Sequence, residues 1–224
     1  MDIDQFNKKI DVLEKAYYRE PFGVPISEIP IIHPTDKDIE DYVMGFFYSS
    51  KKINEYVFAW KAGTLVKEDG KVKPREKNGE YLNGYGSTIN KKNLREYLDC
   101  VSNEVFSGDN FENIYRRLIE LCPPQNFGAV YIINLLFFKS GGKWPIYDKF
   151  VHKAAKALFM KKHPSQIYVG DAPNKRHIRD VVNMYSEYIW LLEILFCTKS
   201  IDRKTDRALW VYGHATDRDK IAKI

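Results

Sequence analysis

Cysteine is scarce in this 224-residue chain, and so are long apolar runs. The three cysteines, Cys100, Cys122 and Cys197, are few, odd in number and widely spaced, which excludes a disulfide framework and a clustered zinc or iron–sulfur site. We therefore expect reduced thiols and no metal. The longest apolar candidate, Tyr131 to Phe138, is far shorter than the roughly 18 residues that a membrane span needs. No membrane segment is predicted.

Signals for targeting, nucleotide binding and domain division are also missing. The N-terminus carries Asp2, Asp4, Lys8 and Lys9 in place of an apolar stretch, so we expect no secretory leader and a cytoplasmic location. There is no Walker loop, dinucleotide fingerprint or serine nucleophile elbow, and we expect no cofactor. Prolines cluster within Pro21 to Pro34, which predicts a loop, but no linker-like stretch splits the chain. Residues 1–224 are predicted to form a single globular unit.

Apolar and aromatic residues are plentiful, at 44% and 14% of the chain, enough for a packed core. They recur mainly at helical spacing, which predicts an all-α fold. The predicted helices are Ile3–Tyr18, Thr35–Tyr48, a stretch holding Ile53 to Trp60, Lys91–Phe106, Asn110–Leu121, Phe127–Phe138, Tyr147–Lys161, Lys175–Cys197 and Arg203–Tyr212. Residues 67–90, with four glycines and little periodicity, are predicted to be a long polar loop, or a loop with a short hairpin, that folds over a ligand or is a tolerated insertion.

Basic residues exceed acidic ones, which gives a net charge of +5 and a pI near 8.9. A polyanion such as nucleic acid suits this balance, although many basic proteins bind no polyanion.

Two segments carry the functional hypothesis. In the first, Pro123 to Gly128, two predicted helices meet in a turn that needs positive φ, which Asn126 and Gly128 tolerate best. A tight turn at a helix N-terminus aims backbone N–H groups outward and can bind a phosphate. In the second, Asp148 follows Pro145 at the start of a helix, where the helix dipole stabilises a carboxylate.

Together these segments resemble the helix–hairpin–helix superfamily of DNA glycosylases (HhH-GPD) over about residues 110 to 160. The family hairpin reads roughly G-V-G, with a lysine two residues on in bifunctional members, and its catalytic aspartate follows in a loop of the P-V-D type. Pro145-Ile146-Tyr147-Asp148 is similar to the adenine-DNA glycosylase form of that loop. Aligned on Asp148, Val130 takes the lysine position eighteen residues earlier, the family's usual separation.

The resemblance implies a multi-helix glycosylase-like fold, a double-stranded DNA partner, and Asp148 as the catalytic residue in base excision. Asn126 replaces the first hairpin glycine, which implies an altered phosphate clamp, and Val130 replaces the Schiff-base lysine. A flipped damaged or modified base would be removed by a monofunctional enzyme that leaves an abasic site. If this protein binds DNA, we expect it to be associated with the nucleoid.

Further candidates have alternative interpretations. Phosphates are expected to contact the hairpin residues Gln125, Asn126, Phe127 and Gly128 and a basic rim of Lys139, Lys143, Lys149 and Lys153, which would otherwise be a solvated face. Asp148 would otherwise be a helix cap. The pocket candidates are Tyr147, His152 and Trp210. The alternatives are a core position for Tyr147, a surface position for His152 and docking of the last helix for Trp210.

Three functions therefore remain open. The first is a monofunctional glycosylase. The second is a glycosylase-like module that binds DNA without cutting it. The third is a helical protein with no nucleic-acid role.

Overall fold

The computed structural model describes residues 1–17, 41–45, 53–68, 71–83, 86–106 and 110–214. The predicted proline-rich loop and most of the helix predicted from Thr35 lie outside these residues, although residues 41–45 are helical. The described chain is mostly helical, as predicted. Its helices are α1 (Ile3–Tyr17), α2 (Glu55–Ala62), α3 (Lys91–Asn103), α4 (Phe111–Glu120), α5 (Ala129–Lys139), α6 (Lys149–Met160), α7 (Ile178–Phe196) and α8 (Arg203–Gly213), with a short 3₁₀ turn at Pro164–Gln166.

Polar caps explain why most of these helices begin where they do. The side chains of Asn54, Asn90, Asn110, Asp148 and Asp202 each accept a hydrogen bond from a backbone N–H in the first turn of the helix that follows. Asp2 accepts from the backbone N–H of Gln5 in the same way at α1. Periodicity located the helices, and the caps set their first residues.

The all-α prediction was wrong for residues 67–90, where the strands confirm the alternative of a loop with a short hairpin. An antiparallel pair, β1 (Leu65–Glu68) and β2 (Lys71–Pro74), aligns Leu65 with Pro74. A second sheet, ordered β3 (Glu76–Lys77), β4 (Glu80–Leu82) and β5 (Thr88–Ile89), follows. The strands are only two to four residues long and hold few apolar side chains, so alternation was too brief to detect.

The chain divides into two compact units, where the sequence predicted one. The first unit, called the aspartate unit, contains Asp148 and the described residues 1–17, 143–172 and 183–214. The second, called the hairpin unit, contains the Asn126 turn and the described residues of 41–142 and 173–182. Each unit combines stretches that are distant in the chain, which local composition does not reveal.

In the aspartate unit, α1 and α6 both pack on α8. Phe6 of α1 is fully buried and its ring meets those of Phe196 and Tyr212 at centroid distances of 6.2 and 6.0 Å. The guanidinium of Arg207 pairs with the Glu14 carboxylate at 2.8 Å. Helix α8 is thus the element against which the start of α6, and with it Asp148, is positioned.

In the hairpin unit, aromatic residues from separate helices meet around Phe127. Its ring is stacked on Phe58 of α2 at 5.6 Å and meets the edge of Tyr97 of α3 at 5.4 Å. Phe127 is 1% exposed. Burying large aromatic rings contributes most of the packing energy of a small core.

Across the described residues, every helix is too short or too polar to cross a lipid bilayer.

Candidate functional site

The predicted hairpin is a tight connection between α4 and α5 in the hairpin unit. The backbone N–H of Phe127 donates to the carbonyl of Pro124 at 3.2 Å, which closes the turn. Asn126 has a φ of 64°, as predicted, because asparagine tolerates the left-handed region. Gly128 has a φ of −75° and open space around the position of a Cβ, so Asn126 is the one of the two candidates that supplies the positive φ of this turn.

Phe127 was expected among the DNA-contacting residues, and its burial contradicts a side-chain contact with DNA. A residue on a turn between two helices has to fix that turn to the core, and Phe127 does so through its aromatic neighbours, which include Tyr131 at 5.4 Å. Phe127 therefore holds the hairpin in place.

Asn126 is held by the small sheet. Its side-chain amide donates to the backbone carbonyl of Thr88 at 3.0 Å, and the amide of Asn83 donates to the carbonyl of Asn126 at 3.4 Å. Asn126 replaces the first hairpin glycine, and its side chain here supports the turn. These contacts could not be predicted from the sequence, since they join residues 38 and 43 positions apart.

The start of α5 is the part of the hairpin unit best suited to an anion. Gly128 is the N-cap, is exposed and provides no side-chain hydrogen bond to the helix. Its carbonyl accepts from the N–H groups of Tyr131 and Ile132, as in an ordinary first turn. A helix N-terminus without a side-chain cap presents N–H groups and the positive end of the helix dipole. Gln125, also exposed, lies three residues before it.

Asp148 occupies the cap position of α6 in the aspartate unit. Its side chain accepts a hydrogen bond from the N–H of Phe150 at 2.8 Å, and it is 8% exposed. The alternative interpretation of Asp148 as a helix cap is therefore correct as a description of its structure. A carboxylate that caps a helix can still take part in a reaction. The capping hydrogen bond also fixes its orientation.

Two buried tyrosines of α7 hold the loop that precedes Asp148. The hydroxyl of Tyr185 donates to the carbonyl of Pro145 at 2.7 Å, and the hydroxyl of Tyr188 donates to the carbonyl of Ile146 at 3.1 Å. Burial raises the pKa of both hydroxyls, and the Asp148 carboxylate is among the charges that raise the pKa of Tyr188 further. Both tyrosines therefore stay protonated and keep donating. Apolar spacing predicts only that both lie in the helix Lys175–Cys197.

Tyr147 and His152 form a buried pair behind this loop. Tyr147 is 1% exposed and its hydroxyl shares a hydrogen bond of 3.2 Å with Nδ1 of His152. His152 is 2% exposed, so the surface alternative was wrong. Its Nε2 lies 3.5 Å from the carboxylate of Glu187. Burial lowers the pKa of His152 to about 4, although Glu187 opposes the shift, so His152 is neutral at physiological pH.

His214 lies beside the start of α6, and no sequence motif marks it. Its ring is stacked on Phe150 with centroids 3.4 Å apart, and its Nδ1 is 2.9 Å from the carbonyl of Trp210. Since a carbonyl only accepts, Nδ1 carries the proton and Nε2 is the basic nitrogen. Burial lowers the pKa of His214, while its bond to the Trp210 carbonyl and the charge of Asp148 raise it.

Trp210 docks the last helix, as one interpretation of the sequence held. Its ring meets Tyr17 of α1 at 5.2 Å and Phe150 of α6 at 6.5 Å, and it is 8% exposed. Gly213 allows the close approach on which this docking depends, because a Cβ there would overlap the carbonyl oxygen of Phe150.

The lysines of the predicted basic rim belong to both units. Lys139, in the hairpin unit, donates to the carbonyl of Ser102, and burial lowers its pKa. Lys149, in the aspartate unit, pairs with Asp171 at 2.7 Å. These two lysines already have protein partners, which a charge count along the sequence cannot show. Lys143 is exposed and Lys153 half-buried.

Within the described ranges, the histidine, cysteine, aspartate and glutamate side chains form no group of three or more that is placed to hold a metal ion.

Comparisons of the chain with protein-family models, with curated proteins and with solved structures find no match.

Proposed function

We propose that this protein is a monofunctional DNA N-glycosylase in which Asp148 is the catalytic residue. The observation that most supports the proposal is the way Asp148 is held. Its carboxylate is fixed by the Phe150 N–H, and its loop is fixed by hydroxyl groups of Tyr185 and Tyr188. A carboxylate oriented in advance by its surroundings can stabilise developing positive charge without first reorganising.

In the proposed reaction, the bond between the sugar C1′ and the base nitrogen breaks and the base leaves with the bonding electrons. Asp148 stabilises the positive charge that grows on the sugar. A water oxygen then bonds to C1′, its proton is taken up by a basic group, and the departing base is protonated. Val130 occupies the lysine position of the resemblance, so no Schiff base forms there and the product is an abasic site.

Phosphate binding is assigned to the hairpin unit. The exposed Gly128 cap and the first N–H groups of α5 suit a backbone phosphate, and Asn126 and Phe127 keep the turn rigid. Such contacts carry no sequence information, so they would position DNA without selecting a base.

A second candidate function is a module that binds DNA without cutting it. The observation that favours it is the low exposure of Asp148, which leaves 8% of the residue open to solvent. A binding module needs the hairpin but makes no demand on the Asp148 carboxylate.

Duplex oligonucleotides that each carry one lesion or mispair test the proposal, with alkali used to reveal abasic sites. The matched variant is Asp148→Asn, because asparagine caps helices as well as aspartate and should leave stability nearly unchanged. We expect strand breaks only after alkali, and none with the variant. Cleavage without alkali would contradict the monofunctional assignment.

Binding without cleavage, unaffected by Asp148→Asn, would support the binding module in place of the enzyme. Neither cleavage nor binding would leave a helical protein with no nucleic-acid role. The melting temperature of the variant shows whether any loss of cleavage reflects a loss of folding.

A further inference from the structure

The first residues of α7 and the turn before it are attached to the hairpin within the hairpin unit. The ammonium group of Lys175 donates to the carbonyls of Pro123 and Pro124 at 3.2 and 2.6 Å. In return, the hydroxyl of Tyr115 on α4 donates to the carbonyl of Lys175 at 3.0 Å. A segment more than fifty residues later in the chain is thereby fixed to the two prolines that open the hairpin.

Lys175 is positioned by this contact and is not available to a ligand. It is half-buried, and burial lowers its pKa, with the charge of Arg176 acting in the same direction. Both carbonyls belong to residues just after the end of α4. They accept hydrogen bonds from the ammonium group, which offsets the cost of burying it. Lys175 thus serves as a rigid connection between the hairpin and the residues after it.

Arg176 and Arg179 are exposed, and they follow Lys175, the residue attached to the hairpin, by one and four positions. Neither guanidinium forms an ion pair or a side-chain hydrogen bond with any other residue that the structure describes. Between them His177 is exposed, with Nδ1 3.9 Å from the Asp180 carboxylate. Asp180 is the acidic side chain of this short stretch, so positive charge remains in excess.

We propose that Arg176 and Arg179 form a second phosphate-contacting element for duplex DNA, continuous with the hairpin. This inference rests on the proposed function for its partner. Within the described residues, both exposed guanidinium groups lack a protein partner. They follow Lys175, which is bonded to the two prolines that open the turn leading to the uncapped start of α5. Arginine is the side chain best matched to phosphate, and several contacts in a row suit a polymer of phosphates.

Salt dependence of binding tests this directly. A labelled duplex is titrated by fluorescence anisotropy at several salt concentrations, with wild type, the double variant R176A/R179A and the charge-retaining variant R176K/R179K. Each lost phosphate contact reduces the magnitude of the negative slope of log K against log salt by about 0.9. The slope of the alanine variant should therefore be smaller in magnitude by about 1.8. Between about 50 and 200 mM salt, wild type should weaken about 12-fold more than the alanine variant.

The lysine variant should keep nearly the wild-type slope, because lysine retains the charge. A net-charge control, K162A/K199A, removes two exposed cations from loops of the aspartate unit and should leave the slope unchanged. An equal slope for wild type and R176A/R179A would overturn the inference, as would an equal loss with K162A/K199A.

Failure of the inference is distinguishable from failure of the proposed function. Abasic product with unchanged slope in R176A/R179A would overturn only the second element. A lower slope in that variant, with no abasic product from any lesion, would support the second element and remove the enzyme assignment. Absence of any duplex binding by wild type would overturn both.

Discussion

Substitution of Gly213 by alanine is expected to destabilise the protein, against the usual effect of this change inside a helix. Alanine normally stabilises a helix by about 0.5–1 kcal/mol relative to glycine, since glycine loses more backbone freedom on folding. At Gly213 the new Cβ would lie 2.6 Å from the carbonyl carbon of Phe150 and would overlap its oxygen. Overpacking costs about 1–3 kcal/mol, and backbone yields less readily than a side chain.

Because the overlap is with backbone, the cost should lie at the upper end of this range, about 3 kcal/mol. Subtracting the helix gain leaves a net loss of about 2 kcal/mol, which corresponds to a fall in melting temperature of about 4–8 °C for a chain of this size. Thermal unfolding followed by circular dichroism measures it. The matched control is Gly45→Ala, in the helical residues 41–45, where no described atom lies within 4 Å of the new Cβ. Gly45→Ala should stabilise. Stabilisation by Gly213→Ala as well would refute the close approach of α8 to Phe150.

Two further perturbations test the two units separately. Phe127→Ala should lower the free energy of unfolding by about 3–5 kcal/mol in urea, with Phe127→Leu far milder; a loss below about 1 kcal/mol for Phe127→Ala would contradict its burial. Because burial lowers the pKa of His152 to about 4, the unfolded chain binds the proton first as pH falls, so the contribution of His152 is complete above about pH 6.5 and declines towards pH 4. The difference in stability between wild type and His152→Gln should shrink by up to about 3 kcal/mol across that window, and a constant difference would refute the neutral, buried imidazole.

The helices could be predicted because their signals are local. Apolar spacing located α6, α7 and α8 to within a few residues. Aspartate caps mark the starts of α6 and α8, and asparagine caps mark the starts of α2, α3 and α4. A short hairpin within residues 67–90 was one of the alternatives, but the three-stranded sheet could not be predicted, since strands such as Thr88–Ile89 are too short to show alternation. Their stability comes from pairing and from contacts with other elements.

The candidate site was predictable residue by residue only in part. Asn126 in the left-handed region follows from its side chain alone. The protein partners of Lys139 and Lys149 depend on elements that meet only in three dimensions. The same is true of His152, whose position one turn after Asp148 does not reveal that it points into the core.

The hydrogen bonds that join Asn126 to Thr88 and to Asn83 give residues 76–89 a structural role that their composition does not reveal. A segment of this polarity looks dispensable, and shortening it would be an obvious step in engineering a smaller chain. Such a deletion would remove the carbonyl that Asn126 binds and the amide of Asn83 that binds it. The hairpin's geometry is thus encoded in two places along the chain, and only one of them carries a recognisable motif.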